Sequence, residues 1–525
     1  MHINTRRSRY LTFVGMGLFV ALAPLACGSD DDDDGAGGSS GSGGSNVAGT
    51  AGKTGAGGGS SGDTSIGGAQ GGDFGAAGMA GMAGMDMGGA GGAAPLPARL
   101  RVVHASPNAP SVDIYAGDSL TAAAADVEYG DATDFIEVEP GPMTFELRPA
   151  GADATDAPAF TSAEIDLSPG ADYTVVATGD FSHPDDADTG FRLLPLEHDF
   201  DAAAPNHALA RVVHATSGWA TVACDFADTT AVDVPELQRF DSESNVSLEA
   251  GTDIGVSFSS DADGVLSQLT LPEVTDGEQL FIIATGNPGF PFRAPANGFA
   301  LLVVDEAGHV SWVKEKPWLH LVHASDISTV DVYDAAKTAA SAKLVDDLEA
   351  GAMAGFQMPA SVDGFDLKAV AADAATGAAT ALATGPTSTL ESGEHYLTYI
   401  AGDGIHIVPE QFDLEKPSKV LLRGVHASAS VSETVDFGAA NSGELSSALI
   451  AGVAPHKASA AAGSAINPGA VTLGAAATGT TINLLAEQTF SGTSAPQAGE
   501  RDFLMLVGAG QLWLVDTSVA GWSIR

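Results

Sequence analysis

A histidine followed by a small hydroxyl residue and then by an aspartate occurs four times in this chain of 525 residues. The local stretches are RVVHAS, RVVHAT, HLVHAS and RGVHAS, and their histidines are His104, His214, His323 and His426. Ser or Thr follows two residues later in each, at Ser106, Thr216, Ser325 and Ser428. The nearby carboxylates are Asp113, Asp225, Asp331 and Asp436. His, Ser and Asp are the residue types of a hydrolytic triad, in which the imidazole takes the proton of the serine hydroxyl.

The spacing of these residues argues against hydrolysis. In an extended strand, residues two apart share a face but lie about 6 to 7 Å apart, and no Gly-rich loop nearby supplies an oxyanion hole. We therefore predict that the histidine bonds the backbone of the following turn, that Ser or Thr caps this turn, and that Asp fixes the start of the next strand. The motif is then structural, no catalytic residue is predicted, and a hydrolase is the minor alternative.

The spacing of the histidines indicates a repeated domain. Successive histidines are separated by 110, 109 and 103 residues, from the positions 104, 214, 323 and 426, which is the size of a small domain. A second landmark follows each histidine: a turn residue, a β-branched and aromatic run, and a closing Gly, as in GADYTVVATGD from Gly170. These landmarks predict four units over residues 98–203, 204–315, 316–416 and 417–525.

The pattern within one unit predicts the fold class. In the first unit, short runs such as RLRVVHA, SVDIYA and DYTVVATG alternate or are β-branched, and Gly, Pro and Asp separate them. About seven short strands in about 100 residues are typical of an antiparallel sandwich. The sequence therefore predicts an all-β protein of four tandem immunoglobulin-like antiparallel β-sandwich modules.

The opening of the first unit resembles a known family. RVVHASPNAPSVDIYAGD, from Arg101, is similar to the signature of a bacterial module, domain-of-unknown-function family 4397, and HLVHASDISTVDVYDA in the third unit is also similar. In the second unit TVACDF is aligned so that Asp225 keeps the Asp position and Phe226 replaces Tyr. The resemblance implies a β-rich module on secreted or surface proteins, and it implies no reaction.

The N-terminal region has the layout of a secreted lipoprotein. A charged start and the apolar run YLTFVGMGLFVALAPLA predict a signal peptide over residues 1–26. LAC, ending at Cys27, resembles a lipobox, so lipidation of Cys27 is predicted, with simple secretion as the alternative. Residues 27–97 are mostly Gly, Ala, Ser and Met after a run of Asp. Such a segment buries too little apolar surface to offset its ordering entropy, which predicts a disordered Gly/Ser/Ala-rich tether.

Charge and cysteine content exclude several functions. The net charge is -45, with 67 acidic and 22 basic residues, so nucleic acid is not an expected partner, because phosphate binding needs a basic surface. Two cysteines, Cys27 and Cys224, exclude a disulfide framework. No cofactor and no metal site is predicted, although acidic turns near Asp186 and Asp261 leave weak calcium binding open.

These expectations combine into one function. We expect a cell-surface, outer-membrane lipoprotein, held in the membrane through Cys27, whose modules bind or adhere without catalysis to an extracellular protein or glycan. A passive envelope spacer is the main alternative. A hydrolase using the His/Ser/Asp sets is the third.

Overall fold

The structure is a computed structural model. It describes residues 95–226, 232–262, 264–288, 298–335, 343–372, 380–385, 388–402, 404–412, 418–482, 484–518 and 522–525. The predicted signal peptide, Cys27 and the predicted tether as far as residue 94 lie outside these residues. Among the described residues, the regular elements are strands and one short 3-10 helix, which confirms the predicted all-β class.

The four predicted units are called repeats 1 to 4 below. Repeat 1 contains β1 Ala98–His104, β2 Val112–Ala116, β3 Ala124–Val127, β4 Ile136–Val138, β5 Gly141–Met143, β6 Phe145–Pro149, β7 Phe160–Thr161, β8 Ile165–Leu167, β9 Asp172–Thr178 and β10 Arg192–Glu197. Repeat 2 contains β11 His207–His214, β12 Thr221–Phe226, β13 Val234–Gln238, β14 Ser242–Glu249, β15 Ile254–Ser260, β16 Gly264–Leu271, β17 Gln279–Thr285, β18 Ala300–Val304 and β19 Val310–Lys314.

The second half of the chain has a similar order of elements. Repeat 3 contains β20 Trp318–His323, β21 Val330–Asp334, β22 Lys343–Leu348, β23 Met353–Gln357, β24 Ser361–Phe365, β25 Leu367–Ala371, β26 Ala383–Thr384, β27 Ser388–Leu390, β28 His395–Ala401 and β29 Gly404–Pro409. Repeat 4 contains β30 Val420–His426, β31 Val435–Asn441, β32 Glu444–Val453, β33 Ser464–Ile466, β34 Val471–Ala477, β35 Ala486–Phe490, the 3-10 helix Gly492–Ser494, β36 Arg501–Val507, β37 Gln511–Asp516 and β38 Ser523–Ile524.

Each repeat is built from sheets that enclose a core. In repeat 2 one sheet has the order β14-β11-β17-β18-β19 and the other has β13-β12-β15-β16. Repeats 1 and 4 have a comparable pair of sheets, whereas in repeat 3 a short β26–β29 contact joins eight strands into one sheet. Apolar side chains from the facing sheets form one core per repeat. The antiparallel β-sandwich prediction is therefore confirmed.

Each repeat contains a parallel strand pair at an equivalent position, which the sequence did not predict. The first strand, which ends in the repeated histidine, pairs in parallel with the strand of the second landmark: β1 with β9, β11 with β17, β20 with β28 and β30 with β36. This pairing brings the segment after each histidine beside the Gly that ends the landmark strand. It determines where the repeated Ser or Thr finds its partner.

The repeats contact one another through the outer faces of these parallel pairs. Val103 and Val176 of repeat 1 pack with Val213, Phe281 and Ile283 of repeat 2. Residues of repeats 3 and 4 form a comparable apolar cluster. Strands buried on both faces are continuous apolar runs rather than alternating ones, which explains runs such as VVATG and FIIATG in the sequence.

A buried carboxylate lies at the junction of repeats 2 and 3. Glu315 follows β19 and is 3% exposed. Its Oε2 accepts hydrogen bonds from Ser267 Oγ at 2.8 Å and from Trp318 Nε1 at 3.0 Å. Its Oε1 lies 2.9 Å from Nε2 of the buried His395. One carboxylate therefore ties a strand of repeat 2 to two strands of repeat 3.

A second buried carboxylate joins repeats 3 and 4. Glu410 is fully buried just after β29, and its Oε1 lies 3.0 Å from Nη1 of Arg501 in β36. The same oxygen accepts a hydrogen bond from Thr517 Oγ1 at 3.1 Å. Because Arg501 is itself buried, the ion pair is removed from solvent.

Candidate functional site

The repeated histidine is the last residue of the first strand in every repeat, and its ring is buried. His104 is 1% exposed, and the other three histidines are 0% exposed. The backbone N–H of each histidine donates to the carbonyl of a turn residue, and the histidine carbonyl accepts from the N–H of the residue before it. For His104 these two turn residues are Asp131 and Gly130. The donors to the carbonyl are Gly130, Phe240, Gly351 and His456. All four donors have positive φ, so the same left-handed turn is built even where the residue is not Gly.

The imidazole rings bind backbone carbonyls of the following turn in three repeats. Nε2 of His104 lies 3.2 Å from the carbonyl oxygen of Pro110, and Nε2 of His426 lies 3.0 Å from that of Glu433. In repeat 3 the equivalent distance, from His323 to the Ser328 carbonyl, is 3.3 Å. Each ring therefore donates from Nε2 and holds the turn against the strand end.

His214 of repeat 2 differs from the other three. Neither of its ring nitrogens has a hydrogen bond of full geometry among the described residues. Burial, followed by the nearby Arg239 guanidinium, lowers the pKa of His214 to about 4, although the Trp219 backbone opposes this shift. Burial also lowers the pKa of the other three histidines. The rings are therefore neutral and shielded from solvent at neutral pH.

In repeats 1, 2 and 4 the hydroxyl of the repeated Ser or Thr bonds a backbone carbonyl and not the histidine ring. Ser106 Oγ donates to the carbonyl of Gly179 at 2.6 Å, and Thr216 Oγ1 donates to that of Gly286 at 2.7 Å. Ser428 makes the same bond in repeat 4, to Gly508. In repeat 3 the hydroxyl of Ser325 instead lies 3.5 Å from Nδ1 of His323, at the limit of hydrogen bonding. In three repeats the hydroxyl thus closes the parallel strand pair at its end.

The repeated aspartate binds a bulge beside the second strand. Asp113 accepts from the backbone N–H of Asp126 at 2.8 Å and from that of Gly151 at 3.0 Å. Asp126 has a φ of 55° and lies where β2 and β3 change register. The carboxylate therefore stabilises a left-handed bulge residue and ties it to the next turn.

The same carboxylate contacts recur in repeats 3 and 4. Asp331 accepts from the Asp347 N–H at 3.0 Å and from Lys343 Nζ at 2.8 Å. Asp436 accepts from the Gly452 N–H at 2.7 Å and from Thr478 Oγ1 at 2.8 Å. These groups lie at the same register shift as in repeat 1.

The strand register corrects the alignment in repeat 2. The shift lies between Val112 and Ile114 in repeat 1 and between Val222 and Cys224 in repeat 2. The residue at the Asp113 position is therefore Ala223, and Asp225 lies two residues further along β12. The sequence alignment placed Asp225 there by residue type. Repeat 2 thus lacks the carboxylate that the other three repeats share.

Replacing Asp436 by Ala should lower the free energy of unfolding of repeat 4 by about 0.5 to 1.5 kcal/mol, because the Gly452 N–H and the Thr478 hydroxyl lose the acceptor of two part-buried hydrogen bonds. Urea unfolding followed by circular dichroism measures the loss. Glu487→Ala, on the exposed face of β35 in the same repeat, is the control and should change stability little. Equal effects of the two substitutions would contradict the assigned role of Asp436.

Two acidic groups among the described residues have carboxylates close enough to share a cation: Asp331, Asp346 and Asp347, and Glu500, Asp502 and Asp516. The first group is engaged by Lys343 and the second by Arg525. The turn at Asp186 is closed by its own backbone and by Thr189. Protein cations and amides therefore engage part of these carboxylates, whereas both side-chain oxygens of Asp502 lack a hydrogen bond among the described residues.

Comparison with known proteins identifies the first part of this architecture. The model of the family described as "Domain of unknown function (DUF4397)" matches residues 98–224. Residues 98–224 are therefore similar to DUF4397 domains. The match begins at β1 and reaches β12, so it includes the first copy of the motif and the start of the second.

A solved structure is also similar to part of this chain. The Bacillus anthracis TIE protein aligns with 10% sequence identity over 78% of this chain and 68% of its own, with a TM-score of 0.12. The comparison with curated proteins found no match. The DUF4397 match therefore carries the classification.

Proposed function

We propose that this protein is a non-catalytic surface protein whose β-sandwich repeats present binding surfaces outside a membrane. The supporting observation is the use of the repeated motif. In the described residues of repeats 1, 3 and 4, the histidine binds a turn carbonyl and the aspartate binds a bulge, and a buried hydroxyl closes the strand pair in repeats 1, 2 and 4. The repeated polar residues support the scaffold, so recognition belongs to the loops and turns that differ between repeats.

Membrane attachment is part of the proposal and rests on the sequence around Cys27. A lipidated Cys27 followed by about 70 flexible residues would give a random-coil reach of about 45 Å, enough to clear the headgroup layer. Weak contacts made by several repeats would then add through effective concentration. The described residues contain no helix long and apolar enough to cross a membrane.

Replacing Cys27 by Ser should move the protein from the membrane fraction to a soluble fraction, because the acylated residue is lost. Fractionation of cells followed by immunoblotting measures this. Cys224→Ser is the matched control, since Cys224 is buried in β12, and it should leave membrane association unchanged. Membrane association of the Cys27→Ser protein equal to that of the parent would contradict the lipoprotein assignment.

Binding is tested separately from anchoring. Residues 98–525 are used to probe arrays of extracellular proteins and glycans, and saturable binding of a defined class supports the proposal. Absence of binding across both arrays would favour a passive envelope spacer. Turnover of ester or peptide substrates that depends on Ser106 would favour the hydrolase alternative.

A further inference from the structure

Repeat 2 carries a surface cleft where the other repeats carry the aspartate contacts. The cleft has a volume of about 560 Å³, and its lining includes Trp219, Ala223, Glu236, Ser260 and Asp261. Trp219 is half-buried, and Glu236 and Asp261 are exposed. The cleft lies beside the register shift between β12 and β13.

Comparison of the repeats explains why the space is open. In repeat 1, Asp113 joins the bulge residue Asp126 to the turn residue Gly151. By strand register these positions in repeat 2 correspond to Ala223, Glu236 and Ala262, and all three line the cleft. An alanine methyl cannot tie the bulge to the turn. The cleft therefore occupies the place of a structural contact that repeat 2 has lost.

An aromatic ring forms one wall of this cleft and is held firmly. The Trp219 indole packs against Phe258, with ring centroids 6.4 Å apart, and against Phe299, at 4.7 Å. Gly218 lets the loop approach Pro288, since a Cβ there would lie 2.3 Å from the proline ring. Support of this kind reduces the entropy lost when a ligand contacts the indole.

The charge of the cleft selects its ligand. Two carboxylates, Glu236 and Asp261, line it, and no Lys, Arg or His does so among the described residues. The nearby Arg239 does not line the cleft, and its guanidinium is bonded to backbone, since it donates to the carbonyls of Trp219 and Asp188 at 3.1 Å each. The chain as a whole has a net charge of -45. An aromatic face together with carboxylates favours an organic cation.

We propose that this cleft binds the ammonium group of a lysine side chain presented by another protein, with the cation against the Trp219 indole and between the Glu236 and Asp261 carboxylates. The proposal rests on the non-catalytic binding function above and names a ligand class for it. Lysine is a compact cation on an apolar stem, so its methylenes suit the apolar wall and its ammonium suits the carboxylates.

Calorimetric titration of the full chain with an end-capped trilysine peptide tests the site, and end-capped triserine is the control ligand. Trp219→Ala should raise the dissociation constant for trilysine about fivefold or more. The pair Glu236→Gln and Asp261→Asn should also weaken binding. The pair Asp118→Asn and Glu487→Gln removes the same two charges from exposed positions elsewhere and should not. Equal weakening by both pairs would overturn the site, since it would show attraction to net charge alone.

The Ala223→Asp variant separates binding in the cleft from simple charge attraction most clearly. Restoring the aspartate should re-form the contacts with the bulge and the turn, close the cleft and weaken trilysine binding, although the substitution adds a negative charge. Simple charge attraction predicts the reverse, so tighter binding by this variant would overturn the proposal.

The experiments distinguish two outcomes: that the cleft is not a lysine site, and that the protein is not a binding protein. Trp219-dependent binding of cellotriose without binding of trilysine would overturn the lysine assignment and leave a binding protein. No binding of either probe would overturn the cleft as a site, while the array experiment with residues 98–525 decides the function independently.

Discussion

Acidification from about pH 7 to about pH 4 is expected to cost the folded chain about 3 kcal/mol at His214 and a smaller amount at His198, whose ring is only partly buried and is screened by solvent. Burial lowers the pKa of each from the ordinary value of 6.5 to about 4. At His198 the next cause is the Arg101 guanidinium. The unfolded chain therefore binds more protons below pH 6.5, so this stability is present above that pH and is lost as the pH falls towards 4.

The pH effect is measured by urea unfolding of the parent and of the His198→Asn and His214→Asn variants across this range. On acidification the His214→Asn variant should lose about 3 kcal/mol less than the parent, and the His198→Asn variant should show a smaller difference of the same sign. The comparison cancels groups common to all proteins, including Asp502, whose pKa is raised mainly by burial and acts with the opposite sign. Val212→Ala is the control, because it should lower stability without removing a titrating group. Parallel pH profiles for all four proteins would contradict neutral, buried rings.

Replacing Glu410 by Ala should lower the free energy of unfolding by about 3 to 5 kcal/mol, because the buried Arg501 loses the counter-charge that Glu410 supplies. The carboxylate is fully buried and lies 3.0 Å from Nη1 of Arg501. It also accepts from Thr517, so the substitution removes a hydrogen bond as well as the ion pair. Urea unfolding monitored by tryptophan fluorescence measures the loss.

Two matched variants define the origin of that loss. Glu410→Gln keeps the size and an acceptor but removes the charge, so it should fall between the parent and Glu410→Ala. Asp346→Ala breaks an ion pair with Lys343. The Asp346 side chain is 71% exposed, and exposed ion pairs contribute about 0 to 1 kcal/mol to stability. A similar cost for Glu410→Ala and Asp346→Ala would show that burial of the repeat 3–4 junction does not govern its stability.

The fold class was predictable because strand and turn signals are local. Short β-branched runs bounded by Gly, Pro and Asp indicate strands whatever their partners, and the repeated histidine gave the period. The parallel pairing of β1 with β9 was not predictable, since no local pattern states which distant strand is a neighbour. It explains why Ser106 bonds Gly179, 73 residues away, rather than the adjacent turn alone.

The role of the motif was predicted in outline, and the register of repeat 2 was not. His104 binds the turn carbonyl of Pro110 as expected, because that contact is local in the chain. Asp225 was aligned with Asp113 by residue type, but the bulge in β12 places Ala223 there. Glu315 and Glu410 gave no signal at all, because an acidic residue between two repeats is indistinguishable in sequence from a solvated linker residue.

The repeated histidine is expected to stabilise the fold by binding the turn after the first strand, and hydrogen exchange of the His104→Ala protein tests this. Removing the ring leaves the turn after β1 without its donor, which should cost about 1 to 3 kcal/mol locally. Mass spectrometry of the exchanged chain should therefore show amides of residues 101–113 and 128–133 exchanging about five to one hundred times faster than in the parent, with the other repeats unchanged. Unchanged exchange throughout repeat 1, together with loss of a hydrolytic activity that the parent shows, would contradict the structural role and indicate a catalytic one.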